Sequence, residues 1–373
     1  MAGGRADGGG DHGLVPAHAA LFGGLPLDEY KFLVHVGERW HGVAHEASSS
    51  LIAKRSALQD EDDHFLALCS HELFHLWNGK RSVPAAFVPY DYLHETPTRL
   101  LWAIEGITSY YGDLALVRAG LWDETRWLEH LREEIETLEN APGRHHLSLA
   151  QASFDGWLQE PAQMHDEPNA RVPFHNKGEI VAALLDLTIR SATEKSLDDV
   201  MRSIWRESRE LQEDAIERAV ANVAGAELAR DFFARYVDGA EPLPYEELLG
   251  RAAVAFDSAS GERLALGAKL KTIDGLLMIE NVTGDGSAME AGLLPGDELI
   301  AIDGARTTSD DDVERVFESL SEGEAVPAVI ARAGVVQIRA MLPRRDPHVS
   351  ITLRVGAGLR PSHMREAWLR RDE

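Results

Sequence analysis

Apolar residues recur at helical spacing in two stretches within the first third of the chain. In the first stretch they are Phe65, Leu66, Leu68, Cys69, Leu73, Phe74 and Trp77. This spacing predicts a helix over residues 63–78, which Gly79 would end. A second helix is predicted over residues 97–119, with Pro97 in its first turn and Gly120 after its end. We therefore expect this part of the chain to be built around two helices.

Shorter patterns flank the two helices. Residues 29–36 have the composition of a strand, and residues 42–52 that of a second, more polar strand. Residues 1–18 are rich in Gly and Ala, and they are predicted to be disordered. Residues 123–251 are predicted to be mostly helical, and residues 349–355 to form a strand near the C-terminus. The pattern as a whole predicts a chain that contains both helices and strands.

Composition narrows the class of protein. A chain of 373 residues has room for two or three domains, and its 44% hydrophobic content is ordinary for a globular protein. Its net charge of −25 argues against nucleic acid and against an anionic membrane surface as partners. No apolar run approaches the roughly 20 residues of a membrane span, and the N-terminus lacks the apolar core of a signal peptide. With a single cysteine, Cys69, these features favour the cytoplasm.

The first predicted helix contains the pattern H-E-x-x-H, formed by His71, Glu72 and His75. Residues four apart lie on one face of a helix, so both imidazoles point the same way. Two neutral imidazoles on one face suit a zinc ion, and the glutamate between them can act as general base for the metal-bound water. The alternative is that the two histidines are simply packed or exposed, since a five-residue pattern also arises by chance.

A catalytic zinc ion usually takes three protein ligands and a water molecule, so a third ligand is required. The best candidate is Glu105, a carboxylate in an otherwise apolar part of the second predicted helix. Gly106 beside it would let two helices approach closely. Cys69 precedes the first histidine by two residues, off the ligand face, and is predicted to pack in the core.

Several separate motifs resemble the glycyl aminopeptidase family. The two main ones are His71–Glu72–Leu73–Phe74–His75–Leu76–Trp77–Asn78–Gly79–Lys80–Arg81 and Leu101–Trp102–Ala103–Ile104–Glu105–Gly106–Ile107–Thr108–Ser109–Tyr110–Tyr111. Further matches occur at 20–26, 153–157 and 231–237. Members of this family are zinc peptidases of the gluzincin type, with a thermolysin-like catalytic domain and a C-terminal PDZ domain. The resemblance runs from about residue 20 to the C-terminus.

The resemblance implies an α+β protein: a mainly helical thermolysin-like domain with a short N-terminal sheet portion, followed by a PDZ-like β domain. We assign residues 1–18 to a disordered N-terminus, 19–252 to the catalytic domain, 253–345 to the PDZ domain and 346–373 to a C-terminal tail. The family's N-terminal β domain has no room ahead of this catalytic domain. One zinc ion per chain is expected, held by three ligands, His71, His75 and Glu105.

Three positions depart from the family pattern. The family has a glutamate near the substrate amine where this chain has Ala44, and Glu46 lies two residues along the predicted strand, about 7 Å away. The family often has a carboxylate where this chain has Gly112, and the neighbouring Asp113 is a candidate partner for a zinc ligand, although an exposed carboxylate is as plausible.

The third departure concerns the oxyanion of the tetrahedral intermediate. The family has a tyrosine pair that supplies one hydrogen-bond donor, and Phe174 and His175 stand at those positions. An imidazole can also donate to an oxyanion, so His175 is a candidate catalytic residue, with Tyr110 or Tyr111 as further candidate donors. The alternative is that His175 is an ordinary polar residue and that the donor is lost.

The C-terminal part contains the pattern A-G-L-x-P-G-D at residues 291–297, followed by an alternating strand, which is typical of a PDZ domain. Leu266, Gly267 and Ala268 would form the loop whose backbone N–H groups bind a peptide carboxylate. Alternatively, the PDZ domain only packs against the catalytic domain. A short basic run at residues 365–371 is predicted to be a solvated helix face.

The leading hypothesis is a zinc-dependent aminopeptidase that releases small N-terminal residues, Gly or Ala, from peptides. Glu72 would activate the zinc-bound water. One alternative is a weakened or inactive peptidase fold that binds peptides through its PDZ domain. Another is an endopeptidase with a relaxed demand for a free N-terminus. The expected partners are peptide substrates and a peptide C-terminus at the PDZ groove, with no nucleic acid and no membrane.

Overall fold

The structure is a computed structural model that describes residues 13–58, 63–159, 167–207, 209–355 and 362–370. Within these residues, no helix is both long enough and apolar enough to cross a membrane. Helices dominate the first two thirds of the chain and strands the last third, which confirms the predicted α+β class.

The helices are α1 (Leu14–Phe22), α2 (Asp63–Phe74), α3 (Ile107–Arg118), α4 (Glu124–Glu139), α5 (Leu149–Phe154), α6 (Gly156–Gln159), α7 (Glu167–Ala170), α8 (Phe174–Ala192), α9 (Leu197–Glu207), α10 (Ala215–Ala224), α11 (Ala226–Tyr236), α12 (Tyr245–Arg251), α13 (Ser287–Glu290), α14 (Asp310–Phe317) and α15 (His363–Leu369). A π-helical turn, Trp102–Gly106, runs directly into α3. Short 3₁₀ turns occur at Ser56–Leu58, Ala85–Phe87 and Pro142–His145.

The strands are β1 (Lys31–Val36), β2 (His41–Ala44), β3 (Ser48–Ala53), β4 (Val83–Pro84), β5 (Glu210–Leu211), β6 (Val254–Ser260), β7 (Leu264–Ala265), β8 (Ala268–Ile273), β9 (Leu276–Val282), β10 (Glu298–Ile302), β11 (Ala305–Arg306), β12 (Val326–Arg332), β13 (Val335–Met341), β14 (Arg344–Arg345) and β15 (Val349–Val355). The N-terminal sheet has the order β1-β3-β2, with β1 parallel and β2 antiparallel to β3. The C-terminal sheet has the order β13-β12-β10-β9-β8.

The N-terminal region differs from its prediction in two ways. The predicted strand over residues 42–52 is two strands, β2 and β3, because the chain turns back after Ala44 and pairs Ala44 with Ser49. The predicted disorder of residues 1–18 lies outside the described residues for 1–12, but α1 already begins at Leu14. Leu14 and Ala17 pack against the α3 region, and this burial explains the helix.

The two predicted helices are present, with different ends. Helix α2 stops at Phe74, and the chain continues in tight turns in which Leu76 N–H donates to Leu73 O and Trp77 N–H to Phe74 O. Gly106 does allow a close approach, but to α8. A Cβ atom on Gly106 would lie 2.4 Å from the Gly178 backbone. The close neighbour of α2 is Gly112, where a Cβ atom would lie 3.1 Å from His71 Cα.

Two hydrophobic cores are large. The first joins the helices around α3, α4 and α8, and it contains Trp102, Trp127 and Trp368. The second lies inside the C-terminal sheet. The first core also contains Ile351 of β15, and β6 and β15 form an antiparallel pair that packs on α4. The last helix, α15, buries Trp368 and Arg365 against the helical core, so the basic run does not form a fully solvated face.

Candidate active site

A cleft of about 990 Å³ opens between β2, the α2 helix, the π-helical turn and the start of α8. Edge strand β2 forms one wall with residues His41–Ala44. Aromatic side chains line the cleft at Trp40, Phe87, Tyr90, Trp157 and Phe174. A cleft of this size, with mostly apolar walls, lies at the upper end of the range for ligand pockets and can hold a small molecule or a short extended peptide.

The three predicted ligands meet at the floor of this cleft. His71 Nε2 lies 3.0 Å from His75 Nε2 and 3.4 Å from Glu105 Oε2, and His75 Nε2 lies 3.3 Å from Glu105 Oε2. Ligand bonds of about 2.0–2.1 Å to a tetrahedral zinc ion place neighbouring ligand atoms roughly 3.3 Å apart. The separations of these three atoms therefore fit one tetrahedral ion.

Each histidine is oriented through its other ring nitrogen. His75 Nδ1 lies 2.9 Å from Asn78 O, and Ser109 Oγ lies 3.3 Å from His71 Nδ1. The Asn78 side chain in turn donates to Ala103 O at 2.8 Å. Such contacts fix the ring and leave Nε2 free to act as a ligand. Sequence reasoning missed Ser109, although it follows Glu105 by four residues and therefore lies near the same helix face.

Glu72 stands beside the triad without a partner of its own. Its side chain is 5% exposed, and Oε2 has no hydrogen-bond partner among the described residues. Burial raises the pKa of Glu72 to about 7, although His75 opposes this. Gly42 of β2 lies directly over the carboxylate, where a Cβ atom would lie 2.1 Å from Glu72 Oε1. A carboxylate with a pKa near neutrality and an unpaired oxygen is suited to exchanging a proton.

The environment of Glu105 favours its ionised form. Burial alone would raise the pKa of Glu105, but His75, His175 and His71 around it hold the pKa well below its usual range. An ionised carboxylate can ligate a cation without first losing a proton.

His175 also faces the triad. It lies in the first turn of α8, its Nε2 atom is 3.4 Å from Glu105 Oε2, and its ring stacks on Phe174. Its side chain is 45% exposed, so it borders the open part of the cleft. Ala44 of β2 also lines the cleft and is buried, and it offers no carboxylate.

Tyr110 and Tyr111 do not reach the cleft as oxyanion donors, contrary to the prediction. The Tyr110 hydroxyl donates to Asp186 at 2.7 Å, and the Tyr111 hydroxyl donates to Asp198 at 2.7 Å, both in the helical core. An α-helix advances about 100° per residue, which turns a residue five positions after Glu105 far from its face. Both hydroxyl groups therefore form hydrogen bonds within the helical core.

Asp113 lies at the cleft wall as part of a second buried cluster. Its Oδ2 atom is 2.9 Å from His130 Nε2, which is also 2.8 Å from Glu179 Oε1. Burial alone would lower the pKa of His130, but Glu179 and Asp113 raise it to about 12. These distances are those of charge-assisted hydrogen bonds and shorter than ligand separations around zinc. Burial also raises the pKa of Glu179 to about 8, so His130 and Glu179 share protons beside Asp113, and among the described residues no hydrogen bond joins this cluster to the predicted zinc ligands.

Leu266 and Gly267 connect β7 to edge strand β8, and Ala268 is the first residue of β8. Gly267 has φ +67°, which favours glycine. Within the described part of the chain, the backbone N–H groups of Leu266 and Gly267 donate to no backbone carbonyl. They are therefore available to a carboxylate.

Comparison with known protein families gives two matches. Residues 64–181 match the M61 glycyl aminopeptidase family, and residues 278–332 match the PDZ domain. The first range includes the three residues of the triad, Glu72 and His175. The resemblance to glycyl aminopeptidases and to PDZ domains stated from the sequence is confirmed over these two ranges.

Solved structures similar to this chain include peptidases. An aminopeptidase N family protein from Idiomarina loihiensis is 29% identical with a TM-score of 0.83, over 95% of this chain and 65% of that chain. This chain thus covers less than two thirds of the length of that protein. An M1 zinc metallopeptidase from Deinococcus radiodurans bound to a Tyr-Ser-Ala substrate is 15% identical with a TM-score of 0.43, over 65% of this chain and 47% of that chain. The HtrA-type protease AlgW with a decapeptide is 21% identical with a TM-score of 0.21, over 25% of this chain and 30% of that chain. No curated protein matches the chain.

Proposed function

We propose that this chain, with its glycyl aminopeptidase-type segment and PDZ domain, is a zinc-dependent peptidase. The observation that carries the proposal is the convergence of His71, His75 and Glu105 beside the unpaired oxygen of Glu72, inside a peptide-sized cleft. The resemblance to glycyl aminopeptidases supports an aminopeptidase that releases small N-terminal residues, Gly or Ala.

The donor set fits one zinc ion per chain. Two imidazoles and a carboxylate are typical ligands of catalytic zinc, and their separations of 3.0–3.4 Å suit a tetrahedral ion with one open position. When bound, zinc supplies Lewis acidity, which polarises the scissile carbonyl and lowers the pKa of water.

Glu72 carries the proton transfers of the proposed reaction. Its carboxylate accepts a proton from the attacking water, whose oxygen forms a bond to the carbonyl carbon. The same proton then passes from Glu72 to the leaving amine as the C–N bond breaks. Burial favours this exchange, because it raises the pKa of Glu72 to about 7. A carboxyl group with a pKa near neutrality can both take up and release a proton at neutral pH.

His175 is the proposed donor to the oxyanion of the tetrahedral intermediate. It borders the open cleft and lies 3.4 Å from Glu105. An N–H group in this place can donate to the developing negative charge, and losing such a donor typically costs about 10²–10³ in turnover. The role replaces the tyrosine of the family pattern.

One observation favours a broader substrate range. Among the described residues that line the cleft, the carboxylates are Glu72, Glu105, Asp113 and Glu179. The first two belong to the catalytic group and the other two flank His130. No separate carboxylate faces the substrate amine from the position of Ala44, so an endopeptidase with a relaxed N-terminal requirement is the second candidate.

The test is hydrolysis of glycyl and alanyl chromogenic amides, with added zinc and with a chelator. Glu72→Gln should abolish hydrolysis while zinc, measured by elemental analysis, stays at one per chain. Comparing free with N-acetylated peptides separates the two candidates, since only the endopeptidase cleaves the acetylated ones. Turnover that is unchanged in Glu72→Gln would refute the proposed chemistry. Zinc binding without turnover by the wild-type chain would instead favour a peptide-binding role.

Peptide binding at Leu266, Gly267 and Ala268, and a location in the cytoplasm, belong to the same proposal. So does the division at 19–252, 253–345 and 346–373. Strand β6 begins the proposed PDZ domain and β15 follows its end, and the two strands pair with each other and pack on the helical core. The PDZ domain is therefore held at both of its ends.

A further inference from the structure

We propose that a peptide bound at the PDZ carboxylate loop activates the catalytic cleft through a side-chain clamp at Asn169. The clamp joins the PDZ domain to the segment that leads into His175. The kinetic part of this proposal rests on the peptidase function proposed above, and its structural part is independent of any turnover.

The carboxylate loop is bonded tightly to the turn that follows β9. Gly267 O accepts a hydrogen bond from Thr283 N at 2.8 Å, and Leu266 O accepts one from Ala288 N at 2.8 Å. Gly267 and Gly286 are in backbone contact, since a Cβ atom on Gly267 would lie 2.8 Å from Gly286 Cα. A ligand that orders the loop therefore also orders the turn at residues 283–286.

The same turn forms hydrogen bonds with the side-chain amide of Asn169. Asn169 Nδ2 donates to Val282 O at 2.6 Å, and Gly284 N donates to Asn169 Oδ1 at 2.7 Å. The amide thus serves as donor and acceptor to two backbone groups on one turn. Pro142 adds a close contact, because a Cβ atom on Gly284 would lie 3.0 Å from the Pro142 ring. We call the amide and its two partners the Asn169 clamp.

The clamp is connected to the cleft by a few residues of chain. Asn169 lies in α7, which has only four residues, and a helix this short depends on outside contacts for its position. After α7 the chain passes Arg171, whose backbone packs on Gly143, and enters α8 at Phe174. His175 follows Asn169 by six residues and faces Glu105. A shift of α7 is therefore transmitted directly to the first turn of α8.

The PDZ domain is attached to the helical core at a second place, where the chain enters and leaves the domain. The two chain segments lie side by side there in one antiparallel ladder, because Val349 of β15 pairs with Ser260 of β6. The Asn140 side chain fixes this base, accepting from Val349 N at 2.8 Å and donating to Val349 O at 2.8 Å. Because the domain is fixed at this attachment, it cannot move as a whole. Ordering of the carboxylate loop therefore changes the position of the Asn169 clamp instead.

The experiment measures hydrogen exchange of the full chain with and without a decapeptide that ends in a free valine carboxylate. The same decapeptide with a C-terminal amide is the negative probe. In the wild type, the carboxylate peptide should slow exchange at residues 266–273 and also, at least threefold, at residues 171–176. It should raise kcat/KM for a chromogenic substrate about fivefold, within the usual range of coupling between sites.

Asn169→Ala should keep the protection at residues 266–273 and lose both distant effects. Asn169→Asp retains the acceptor for Gly284 N but loses the donor to Val282 O, so it should show a reduced effect. Asn222→Ala is the matched control, because Asn222 is exposed on α10 and far from the clamp in sequence. It should behave as the wild type does.

Three outcomes would overturn the proposal. The peptide could protect the carboxylate loop without changing exchange at residues 171–176 in the wild type. The distant protection could persist in Asn169→Ala. The carboxylate and amide peptides could give the same exchange pattern at the loop. An intact exchange response in a chain without turnover would sustain the clamp and refute only the peptidase function.

Discussion

Replacing Gly42 by alanine tests the position of Glu72 with one methyl group. The new Cβ atom would lie 2.1 Å from Glu72 Oε1, 2.5 Å from Cδ and 2.7 Å from Cγ. Real Cβ atoms essentially never come closer than 3.0 Å to such an atom. The new Cβ atom and Glu72 Oε1 must therefore separate by about 0.9 Å even to reach that limit, through a shift of the carboxylate or of edge strand β2.

The expected cost follows from this displacement. A misplacement of about 1 Å in a reacting group can reduce turnover about 100-fold, which corresponds to about 2.7 kcal/mol in the activation free energy. The Glu72 side chain is 5% exposed, so it has little room in which to find a new productive position. The three proposed zinc ligands are not among the nearest atoms to the new methyl group, and zinc binding should be unchanged.

The assay compares kcat, zinc content and the free energy of unfolding for the wild type, Gly42→Ala and Gly250→Ala. Gly250 lies in α12, and a Cβ atom there would meet nothing within 4 Å. This control should be active and as stable as the wild type, or more stable by about 0.5–1 kcal/mol. If Gly42→Ala kept its zinc and turned over within twofold of the wild type, Glu72 could not act from the position seen here. A loss of zinc would assign the defect to the metal site instead.

Two further predictions concern buried charges. Burial lowers the pKa of Lys177 to about 8, with Arg144 adding to the effect, whereas the unfolded value is 10.5. The unfolded chain thus binds the extra proton between these values, so wild-type stability should rise with pH from about 8 to 10.5. Lys177→Met should remove this rise and be more stable at pH 7 by up to about 3 kcal/mol in urea unfolding; parallel pH curves would contradict this. His130 should change the pH dependence of stability in the opposite direction, since its pKa is about 12 in the folded chain and 6.5 in the unfolded chain. Its contribution is complete below pH 6.5, and the wild type should lose about 1.4 kcal/mol per pH unit relative to His130→Gln between pH 7 and 9; equal slopes would show that the imidazole is neutral.

The proposed metal-binding triad could be predicted from the sequence because its geometry is mostly local. His71 and His75 are one helical turn apart, and any helix over this stretch places them on one face. Glu105 required only the argument that a lone carboxylate in an apolar helix needs a partner. The structure brings the three side chains together through the packing of the π-helical turn against α2 and α8, and no periodic pattern could have specified that turn.

The contacts that the sequence could not reveal join residues far apart in the chain. Gly42 and Glu72 are separated by 30 positions, and a glycine in a polar strand gives no sign that a carboxylate lies beneath it. The cluster of Asp113, His130 and Glu179 takes one residue from each of three helices. Each of these residues alone resembles an ordinary polar position on an amphipathic helix.

The strand over residues 349–355 is a further case in which the sequence does not identify a long-range partner. The sequence predicted the element with its observed bounds, β15, but a strand prediction does not identify the partner strand. The partner is β6, nearly 90 positions earlier, and the pair packs on α4 rather than inside the PDZ sheet. Because both ends of the PDZ domain emerge from this one ladder, the domain is attached to the helical core as a closed loop. Asn140 already fixes the ends of the domain, so in our proposal a bound peptide acts on the helical core through Asn169.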